Sequence, residues 1–420
     1  MGRPGGSSKF VNAVTSFVQT VVQATSHWPV AGSLYRSIYH SAARAVGDLA
    51  SREPRLAGIY ARNSYALGTW EPGRSDIDLT AIWSGPNPES AASFHAAFAA
   101  LKKRFPMLGE VEMLDERHLA AWSGYGVPGL ESARWKTLGG PHRFQCRYAG
   151  NERLDRVRHA VSIYCHQFMP RFWEQPRQEK TLRRLAAKIA RQLNEPSAGG
   201  GDAGQLLEAC LRQLSRAAAE VTPRPEQPLI DYTALLGALP VRPAGTPPQS
   251  GDLHLLAAIG HAQGKPRHVV AHEGFRAAAL AARFHGATIL SPEVFRFYLC
   301  FVDPLEHFTL LRERTIVEGI DPLAEPIPLS HSALRETVCH YAADMLTFPY
   351  RAGLDTMPAA QFRHLLYGWF LRTLKYFEDG HFTFEYDRLR EHFGARHEES
   401  APRFALVHAI ANDLSQHMLR

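Results

Sequence analysis

The spacing of apolar residues in the first third of the chain predicts a helix followed by two strands. Residues 34–49 repeat apolar side chains at helical spacing, which is typical of an amphipathic helix. Residues 58–61 form a short apolar run that suits a strand, and residues 76–83 read as a second strand. Small and turn-forming residues separate the two strands. The pattern therefore predicts helix, strand, irregular connection and strand.

A second helix and a third strand follow in the pattern. Phe94, Phe98 and Leu101 lie at helical spacing, and proline at position 106 stops a helix. The predicted helix therefore covers residues 87–105. Residues 110–114 alternate acidic with apolar side chains, as a strand does when only one of its faces is buried.

From about residue 155 onward the pattern becomes almost wholly helical. Residues 194–204 are rich in glycine and predict a flexible connector, and residues 240–251 contain four prolines and predict another loop. No internal repeat is visible in the sequence. We therefore expect an α+β fold, with a small mixed sheet, an N-terminal helical segment and a mainly helical C-terminal half.

This pattern divides the chain into three parts. Residues 1–9 are rich in glycine and serine and predict a disordered tail. Residues 10–150 form the predicted αβ domain, beginning with an amphipathic helix that lacks a convincing signal-peptide cleavage site. Residues 151–420 form the predicted helical domain, with a possible division near 240–251.

The cysteine content and the hydropathy of the chain indicate the cellular compartment to expect. The five cysteines are scattered without a CxxC pair, so neither a zinc module nor a disulfide framework is indicated. No apolar run reaches the roughly 18 residues that a membrane-spanning helix needs. We therefore expect a cytoplasmic protein without a membrane partner. The net charge of +6 is spread over 420 residues and favours anionic ligands only weakly.

Two aspartates open the second predicted strand. Side chains at positions i and i+2 of a strand point to the same face, so Asp76 and Asp78 lie side by side, about 6–7 Å apart. Two carboxylates so close repel each other unless a cation lies between them, and Mg²⁺ prefers such oxygen ligands. An exposed strand edge explains the same short pattern when it stands alone.

The connection before these aspartates contains Ser64, Gly68 and Gly73. Glycines let the backbone approach a ligand closely, and backbone N–H groups together with a hydroxyl can cradle phosphate oxygens. A phosphate-binding turn followed by an acidic strand is a more specific pattern than either part alone.

The run from Asn63 to Leu79 resembles the signature of the DNA polymerase β-like nucleotidyltransferase superfamily, and is most similar to its minimal and aminoglycoside-type members. That signature is an apolar strand, Gly-Ser, roughly ten residues, and then Asp-apolar-Asp or Glu-apolar. Residues 65–75 are the eleven residues between Ser64 and Asp76. Asn63 replaces the signature's glycine. Asparagine tolerates left-handed backbone, so the turn can persist, although the replacement leaves room for weaker nucleotide binding.

The resemblance implies a catalytic and metal-binding set of Asp76, Asp78 and Glu112, which would hold two Mg²⁺ ions, or Mn²⁺. Glu112 is the expected third carboxylate, with a possible role as general base. Glu110 is the alternative and Asp115 a weaker one. The nucleotide-binding residues that the resemblance implies are Asn63, Ser64, Gly68 and Arg74.

The implied reaction is transfer of a nucleoside monophosphate from an NTP, with ATP favoured, to an acceptor hydroxyl with release of pyrophosphate. No nucleic-acid module accompanies the motif, which favours a small-molecule acceptor over nucleic acid. Three alternatives remain open. They are a cyclic-dinucleotide or oligonucleotide synthase, an enzyme that adds nucleotides to RNA 3′ ends or to a protein side chain, and a degenerate nucleotide-binding regulatory module.

Two basic features lie outside the motif. Arg177, Lys180, Arg184, Lys188 and Arg191 lie at helical spacing opposite a row of apolar residues. A solvated helix face is the commoner reason for such a stripe, and contact with the triphosphate or with an RNA backbone is the functional one. Lys180, Arg184 and Lys188 are the candidates for contact with the nucleotide. The second is a group of histidines without carboxylates or cysteines at metal-ligand spacing, which predicts ordinary surface or core histidines. They are His254, His261, His268 and His272.

Overall fold

The structure, a computed structural model, divides into two units. Unit 1 comprises residues 1–149 and 342–420, and unit 2 comprises residues 150–341. The residues that the structure describes are 21–73, 75–125, 132, 134–141, 148, 150–174, 178–197, 200–222, 226–236, 245–246, 254–261 and 265–420. The predicted tail (1–9), the start of the predicted first helix (10–20), Arg74 and most of the predicted loop at 240–251 lie outside these residues.

The N-terminal part of unit 1 alternates helices with strands. Its elements are α1 (Pro29–Ser51), β1 (Leu56–Ala61), α2 (Asn63–Leu67), β2 (Ile77–Trp83), α3 (Pro88–Arg104), β3 (Leu108–Asp115), α4 (Leu119–Gly124) and β4 (Lys136–Gly139). The helices predicted at 34–49 and 87–105 and the three predicted strands are confirmed, with small differences at their ends.

These strands form a mixed sheet with the order β3-β2-β1-β4. β1 is antiparallel to β2 and to β4, whereas β2 and β3 are parallel. α3 makes the crossover between the parallel strands. Asn87 caps its first turn by accepting a hydrogen bond from the Ser90 amide at 3.0 Å. Basic residues close its last turn, where the helix dipole favours positive charge.

One face of this sheet packs on α1 and α3. Ile77 and Leu79 of β2 are buried with Val46 of α1 and Phe94 of α3 in a single core cluster. Because side chains alternate along a strand, burial of Ile77 and Leu79 directs the aspartates that flank them to the opposite face. The apolar pattern of β2 thus decides where its carboxylates lie.

Unit 2 begins with helices and then forms a second sheet. Its elements are α5 (Glu152–Ile163), α6 (Met169–Trp173), α7 (Glu179–Leu193), α8 (Ala203–Val221), α9 (Tyr232–Leu236), β5 (Leu255–Gly260), β6 (Pro266–Ala271), α10 (Ala277–Arg283), β7 (Thr288–Leu290), α11 (Pro292–Phe297), α12 (Pro304–Glu313), β8 (Thr315–Gly319) and α13 (His331–Met345). The chain passes from unit 2 back to unit 1 within α13.

The second sheet has the order β7-β6-β5-β8. The sequence pattern predicts only helices here, because a short apolar run such as β5 cannot be told from a buried helix segment by its spacing. β5 is buried at five of its six positions, so it shows no alternation of apolar and polar side chains. The structure therefore adds a four-stranded sheet to the part of the chain expected to be mainly helical.

The last part of the chain belongs to unit 1. Its helices are α14 (Ala359–Leu365), α15 (Arg372–Asp379), α16 (Tyr386–Phe393) and α17 (Arg403–Met418). The Tyr350 ring stacks on Trp83 of β2 with ring centroids 6.0 Å apart, and His408 of α17 lies 3.1 Å from Asp115 of β3. The sequence pattern grouped these helices with residues 151–341, since an apolar helix face does not indicate which sheet it will cover.

The fold as a whole is α+β, as predicted. Among the described residues, no helix is both long enough and apolar enough to cross a membrane.

Candidate active site

The candidate site of unit 1 is built where β1 ends and β2 begins. The Arg62 amide, just past β1, donates a hydrogen bond to the Asp78 carbonyl at 2.8 Å. This contact holds the turn that starts at residue 62 against the first residues of β2. Because β2 and β3 run in parallel, side chains from β3 complete the same face.

Asp78 is half-buried and Asp76 is exposed, and both lie against Gly109 of β3. A Cβ atom at position 109 would lie 2.5 Å from Asp78 Oδ1 and 3.2 Å from the Asp76 Cβ. No real Cβ atom approaches an oxygen so closely, so glycine is what leaves room for the Asp78 carboxylate here.

Asn63 holds the other oxygen of the same carboxylate. Its side-chain amide donates a hydrogen bond to Asp78 Oδ2 at 2.7 Å. Its backbone has φ = 53°, in the left-handed region that asparagine tolerates better than most residues. The residue that replaces the signature's glycine therefore keeps the unusual backbone conformation and adds a contact to Asp78.

The turn itself contains the short helix α2. Gly68 ends it with φ = 71°, and the Thr69 amide donates to the Ser64 carbonyl at 3.0 Å. Ser64 is half-buried and Gly68 exposed. Ser64 and Gly68 thus lie on the same turn as Asn63.

Helix α1 anchors the far end of this connection. The Tyr39 hydroxyl donates to the Ser75 carbonyl at 2.7 Å and accepts from the Gly73 amide at 3.2 Å. The Trp70 ring stacks on Tyr39 with centroids 4.4 Å apart. Burial, together with the charge of Asp76, raises the pKa of the Tyr39 hydroxyl, although the Gly73 amide opposes the shift. The Tyr39 hydroxyl is therefore protonated at neutral pH and holds the segment before Asp76 through two hydrogen bonds.

Glu112 lies on the face that carries Asp78. Glu112 pairs in register with Thr80, two residues after Asp78 on β2. Strict alternation would place Glu110 on this face too. The register shifts between Ile77 and Leu79, which inserts an extra residue on β3 and breaks the alternation. Glu110 is exposed.

The weaker alternative, Asp115, belongs to a different environment. Its side chain is fully buried and bonds to Arg117 at 2.7 Å and to His408 at 3.1 Å. Burial alone would raise its pKa, but these hydrogen bonds outweigh burial and hold the pKa of Asp115 well below its usual range. Asp115 therefore joins β3 to α17 at the far end of the strand.

Arg62 is a site residue that the sequence pattern did not indicate. Its Nη1 donates to Glu112 Oε2 at 2.6 Å, and its guanidinium lies 6.0 Å from the centre of the Trp135 ring. Its Nε atom is buried without a hydrogen-bond partner. The only signal in the sequence is its position directly before Asn63.

Asp344, at the end of α13, is a further carboxylate that the sequence did not indicate. It keeps contact with solvent, yet the surrounding protein partly desolvates it, and this effect together with repulsion from Glu112 raises its pKa to about 7. The part of the site around Glu112 is therefore rich in acidic groups, with Arg62 as the adjacent cation.

The chemistry of the candidate ligands suits a hard divalent cation, since Asp76, Asp78 and Glu112 offer carboxylate oxygens near the start of β2 and on the adjacent strand β3. Asp78 accepts a hydrogen bond from Asn63, and Glu112 accepts one from Arg62. Across the described part of the chain, no three acidic, histidine or cysteine side chains are arranged to hold a metal ion. Metal binding would therefore require the carboxylates to exchange these hydrogen bonds.

No family model, curated protein or solved structure matches this chain. The interpretation of the site therefore rests on the residues between Asn63 and Leu79, on Glu112 and on their geometry.

The basic stripe belongs to unit 2. Leu182, Leu185 and Ile189 are buried, which confirms the predicted orientation of α7. Lys180 and Arg184 are exposed and Lys188 is half-buried. Lys188 also lies close enough to His159 to lower its pKa, although burial is the larger cause. Contact of these three residues with a nucleotide stays a prediction.

Proposed function

We propose that this protein is a metal-dependent nucleotidyltransferase whose active site is the carboxylate face of the first sheet. One observation carries the proposal. Asp78 and Glu112 occupy the same face of adjacent parallel strands, directly beside a turn with left-handed residues at Asn63 and Gly68. A turn able to accept phosphates and carboxylates able to hold a cation are what NTP chemistry requires.

The turn would bind the phosphates of the NTP. Ser64 offers a hydroxyl, and the first backbone amides of α2 offer N–H groups, both suited to phosphate oxygens, whereas the Gly68 amide donates to the Tyr65 carbonyl. Arg62 offers the adjacent guanidinium, and such a group stabilises the negative charge that develops on a transferring phosphoryl group. Asn63 would orient Asp78 through the hydrogen bond it already makes.

The carboxylates would hold the cation. Asp76, Asp78 and Glu112 would bind Mg²⁺, or Mn²⁺, which when bound neutralises phosphate charge and aligns the reacting oxygens. Asp78 is the best placed of the three, because Gly109 and Asn63 fix its carboxylate from two sides. Glu112 would exchange its bond to Arg62 for the cation, which frees the guanidinium for the phosphates.

The proposed reaction is attack of an acceptor hydroxyl on the α-phosphate of an NTP, ATP being favoured, with pyrophosphate as the leaving group. The proposed acceptor is a small molecule, because the sequence carries no nucleic-acid module beside the motif. Cyclic or oligomeric products formed from NTPs alone would instead assign the protein to the synthases.

A second candidate function is nucleotide binding without turnover. The observation that favours it is the ion pair between Arg62 and Glu112, which neutralises the third carboxylate. The discriminating result is metal-dependent NTP binding with no nucleotide transfer to any acceptor and no release of pyrophosphate.

Calorimetry with a non-hydrolysable NTP and Mg²⁺ tests the proposal. We expect binding that depends on Mg²⁺ in the wild type and that falls at least tenfold in Asp76→Ala and in Asp78→Ala. Asp48→Ala is the matched control, since Asp48 is an exposed carboxylate on α1 and its loss should leave the affinity unchanged. Wild-type protein that binds no NTP with Mg²⁺ would rule the proposal out.

A comparison of Glu112 with Glu110 tests the third carboxylate of the proposed site. Glu112→Gln should weaken Mg²⁺-dependent NTP binding, whereas Glu110→Gln, an exposed neighbour on the same strand, should not. Incubation with labelled NTPs and candidate acceptors then separates transfer from binding alone.

A further inference from the structure

The two sheets of this protein follow one plan. The strand order β3-β2-β1-β4 of the first becomes β7-β6-β5-β8 in the second. Each strand of the second sheet corresponds in chain order to one strand of the first. The directions agree as well: the first strand of each set is antiparallel to the second and fourth strands, and the second is parallel to the third.

The connections follow the same plan. A helix makes the crossover between the parallel strands in both units, α3 in the first and α10 in the second. A helical segment also precedes the fourth strand in both. Strand order, strand direction and the position of the crossover helix therefore agree between the two sheets. The sequence shows no matching repeat, so the similarity lies in the topology.

The second sheet lacks the acidic residues of the first. Its strands β5, β6 and β7 contain no aspartate or glutamate. Asp76 and Asp78 flank Ile77, the first residue of β2, whereas Lys265 and Arg267 flank Pro266, the first residue of β6. A cation that needs carboxylate ligands has none on these strands.

The second sheet also lacks the long turn. Residues 62–76, fifteen in all, connect β1 to β2, whereas the five residues 261–265 connect β5 to β6. A connection of five residues has no room for a counterpart of α2 and the segment that follows it. By its length alone, the connection between β5 and β6 cannot hold a counterpart of the turn that would bind phosphates in unit 1.

An internal ion cluster occupies the matching edge of the second sheet. Glu306 of α12 lies 2.8 Å from His268 Nε2, 3.3 Å from Arg267 Nε and 3.6 Å from His261 Nε2. Glu306 and His268 are buried. Burial raises the pKa of Glu306, but the hydrogen bond from His268 and the nearby charges outweigh it and leave that pKa lowered. The sequence placed no carboxylate near these histidines, because Glu306 is distant along the chain.

From these observations we infer that unit 2 repeats the strand order and strand directions of unit 1, and that the residues of unit 2 that the structure describes form no metal–nucleotide site. At the edge that matches the candidate active site, side chains of the protein itself neutralise one another around Glu306. This inference rests on the proposed function, which places the NTP site in unit 1. What it adds is that unit 2 binds no Mg²⁺–NTP.

Calorimetric stoichiometry with a non-hydrolysable ATP analogue and Mg²⁺ tests the inference on the full chain. The variants are Asp78→Ala in unit 1 and His261→Ala and Arg267→Ala in unit 2, the last two being partly exposed. We expect a single site per chain in the wild type, loss of that site in Asp78→Ala, and unchanged stoichiometry and affinity in both unit 2 variants. Thermal unfolding checks that each variant is folded.

The outcomes separate the two proposals. Two sites in the wild type, or one site that survives Asp78→Ala and disappears in Arg267→Ala, would overturn the inference while leaving an NTP-binding protein. No binding in any of the proteins would overturn the proposed function and would agree with a unit 2 that binds no Mg²⁺–NTP.

Discussion

Asp78 is the residue on which the geometry of the site depends most closely. Its carboxylate lies between the Cα of Gly109 and the amide of Asn63, so each neighbour can be changed without removing the carboxylate itself. Variants at positions 63 and 109 therefore test whether the position of the Asp78 carboxylate matters, while the carboxylate itself stays in the protein.

Gly109→Ala should displace Asp78 and weaken Mg²⁺-dependent NTP binding. The new Cβ would lie 2.5 Å from Asp78 Oδ1, so the carboxylate must shift away from the position in which Asn63 holds it. A loss of about 1.4 kcal/mol of binding free energy from this shift corresponds to roughly a tenfold loss of affinity. Gly124→Ala is the matched control, because a Cβ at that position meets nothing within 4 Å. Calorimetry and thermal unfolding of both variants measure the effect, and equal NTP affinity in the two would contradict it.

Asn63 combines a backbone role with a side-chain role, and two variants separate them. Asn63→Gly keeps the left-handed conformation at φ = 53° and loses the bond to Asp78. Asn63→Ala loses both, and left-handed backbone costs a non-glycine residue about 1–2 kcal/mol. We expect Asn63→Ala to be less stable than Asn63→Gly by about 1 kcal/mol in urea unfolding. Equal stability would show that the backbone conformation carries no cost here.

At the scale of elements, helix α1 both packs on the first sheet and bonds to the segment before Asp76 through Tyr39. Tyr39→Phe removes both hydroxyl contacts to the segment before Asp76 and should cost about 1–2 kcal/mol of stability. It should also lower NTP affinity, because that segment becomes free to move. Tyr125→Phe removes one comparable hydroxyl bond, to the Met418 carbonyl, far along the chain from the turn. A similar loss of affinity in both variants would exclude a specific role for α1.

The pairing of Asp115 with His408 and Arg117 predicts a pH-dependent link between β3 and α17. The lowered pKa of Asp115 means that its ionised form stabilises the folded state. That contribution is complete above the unfolded pKa of about 3.9 and is lost as the pH falls towards the folded pKa. Asp115→Asn should therefore cost about 1.5–3 kcal/mol at pH 7, and less below about pH 4.

Urea unfolding of the wild type and of Asp115→Asn at several pH values measures this difference. Glu116→Gln is the control, since Glu116 is the exposed acidic neighbour. If the difference in free energy of unfolding between wild type and Asp115→Asn does not change with pH, the charge of Asp115 does not stabilise the fold and only its packing does.

The elements differ in how well the sequence predicts them, and the reason is whether polar residues interrupt the apolar ones. Acidic residues alternate with apolar ones at the start of β2 and within β3, although β2 is buried at six of its seven positions. β5 consists of apolar residues and glycine and is buried at five of its six positions, and β4 has no buried position, so neither shows a period of two. Within the site, the motif indicates Asp76, Asp78 and Glu112, whereas the Arg62–Glu112 and Asn63–Asp78 contacts join residues 50 and 15 positions apart and leave no local pattern.

At the scale of the molecule, unit 1 is discontinuous. Its sheet lies in residues 1–149, while Tyr350, which belongs to the same core cluster, and the partner of Asp115 lie in residues 342–420. Unit 2 occupies the chain between these two segments and has its own sheet and buried residues. Folding of unit 1 therefore requires contacts between segments separated by nearly two hundred residues, whereas unit 2 is continuous in sequence.

This arrangement predicts different behaviour for three fragments. Residues 1–149 alone should not fold stably, because Trp83 loses the stacked Tyr350 ring and Asp115 loses its hydrogen bond to His408 and keeps only Arg117. Loss of a hydrogen bond to a charged group costs about 1.5–3 kcal/mol, a sizeable part of the stability of an ordinary domain. Co-expression with residues 342–420 should restore a folded complex, and residues 150–341 should fold alone. Far-UV circular dichroism and the dispersion of amide NMR signals measure each case. A fragment of residues 1–149 that shows dispersed signals and melts cooperatively without its partner segment would contradict the discontinuous unit.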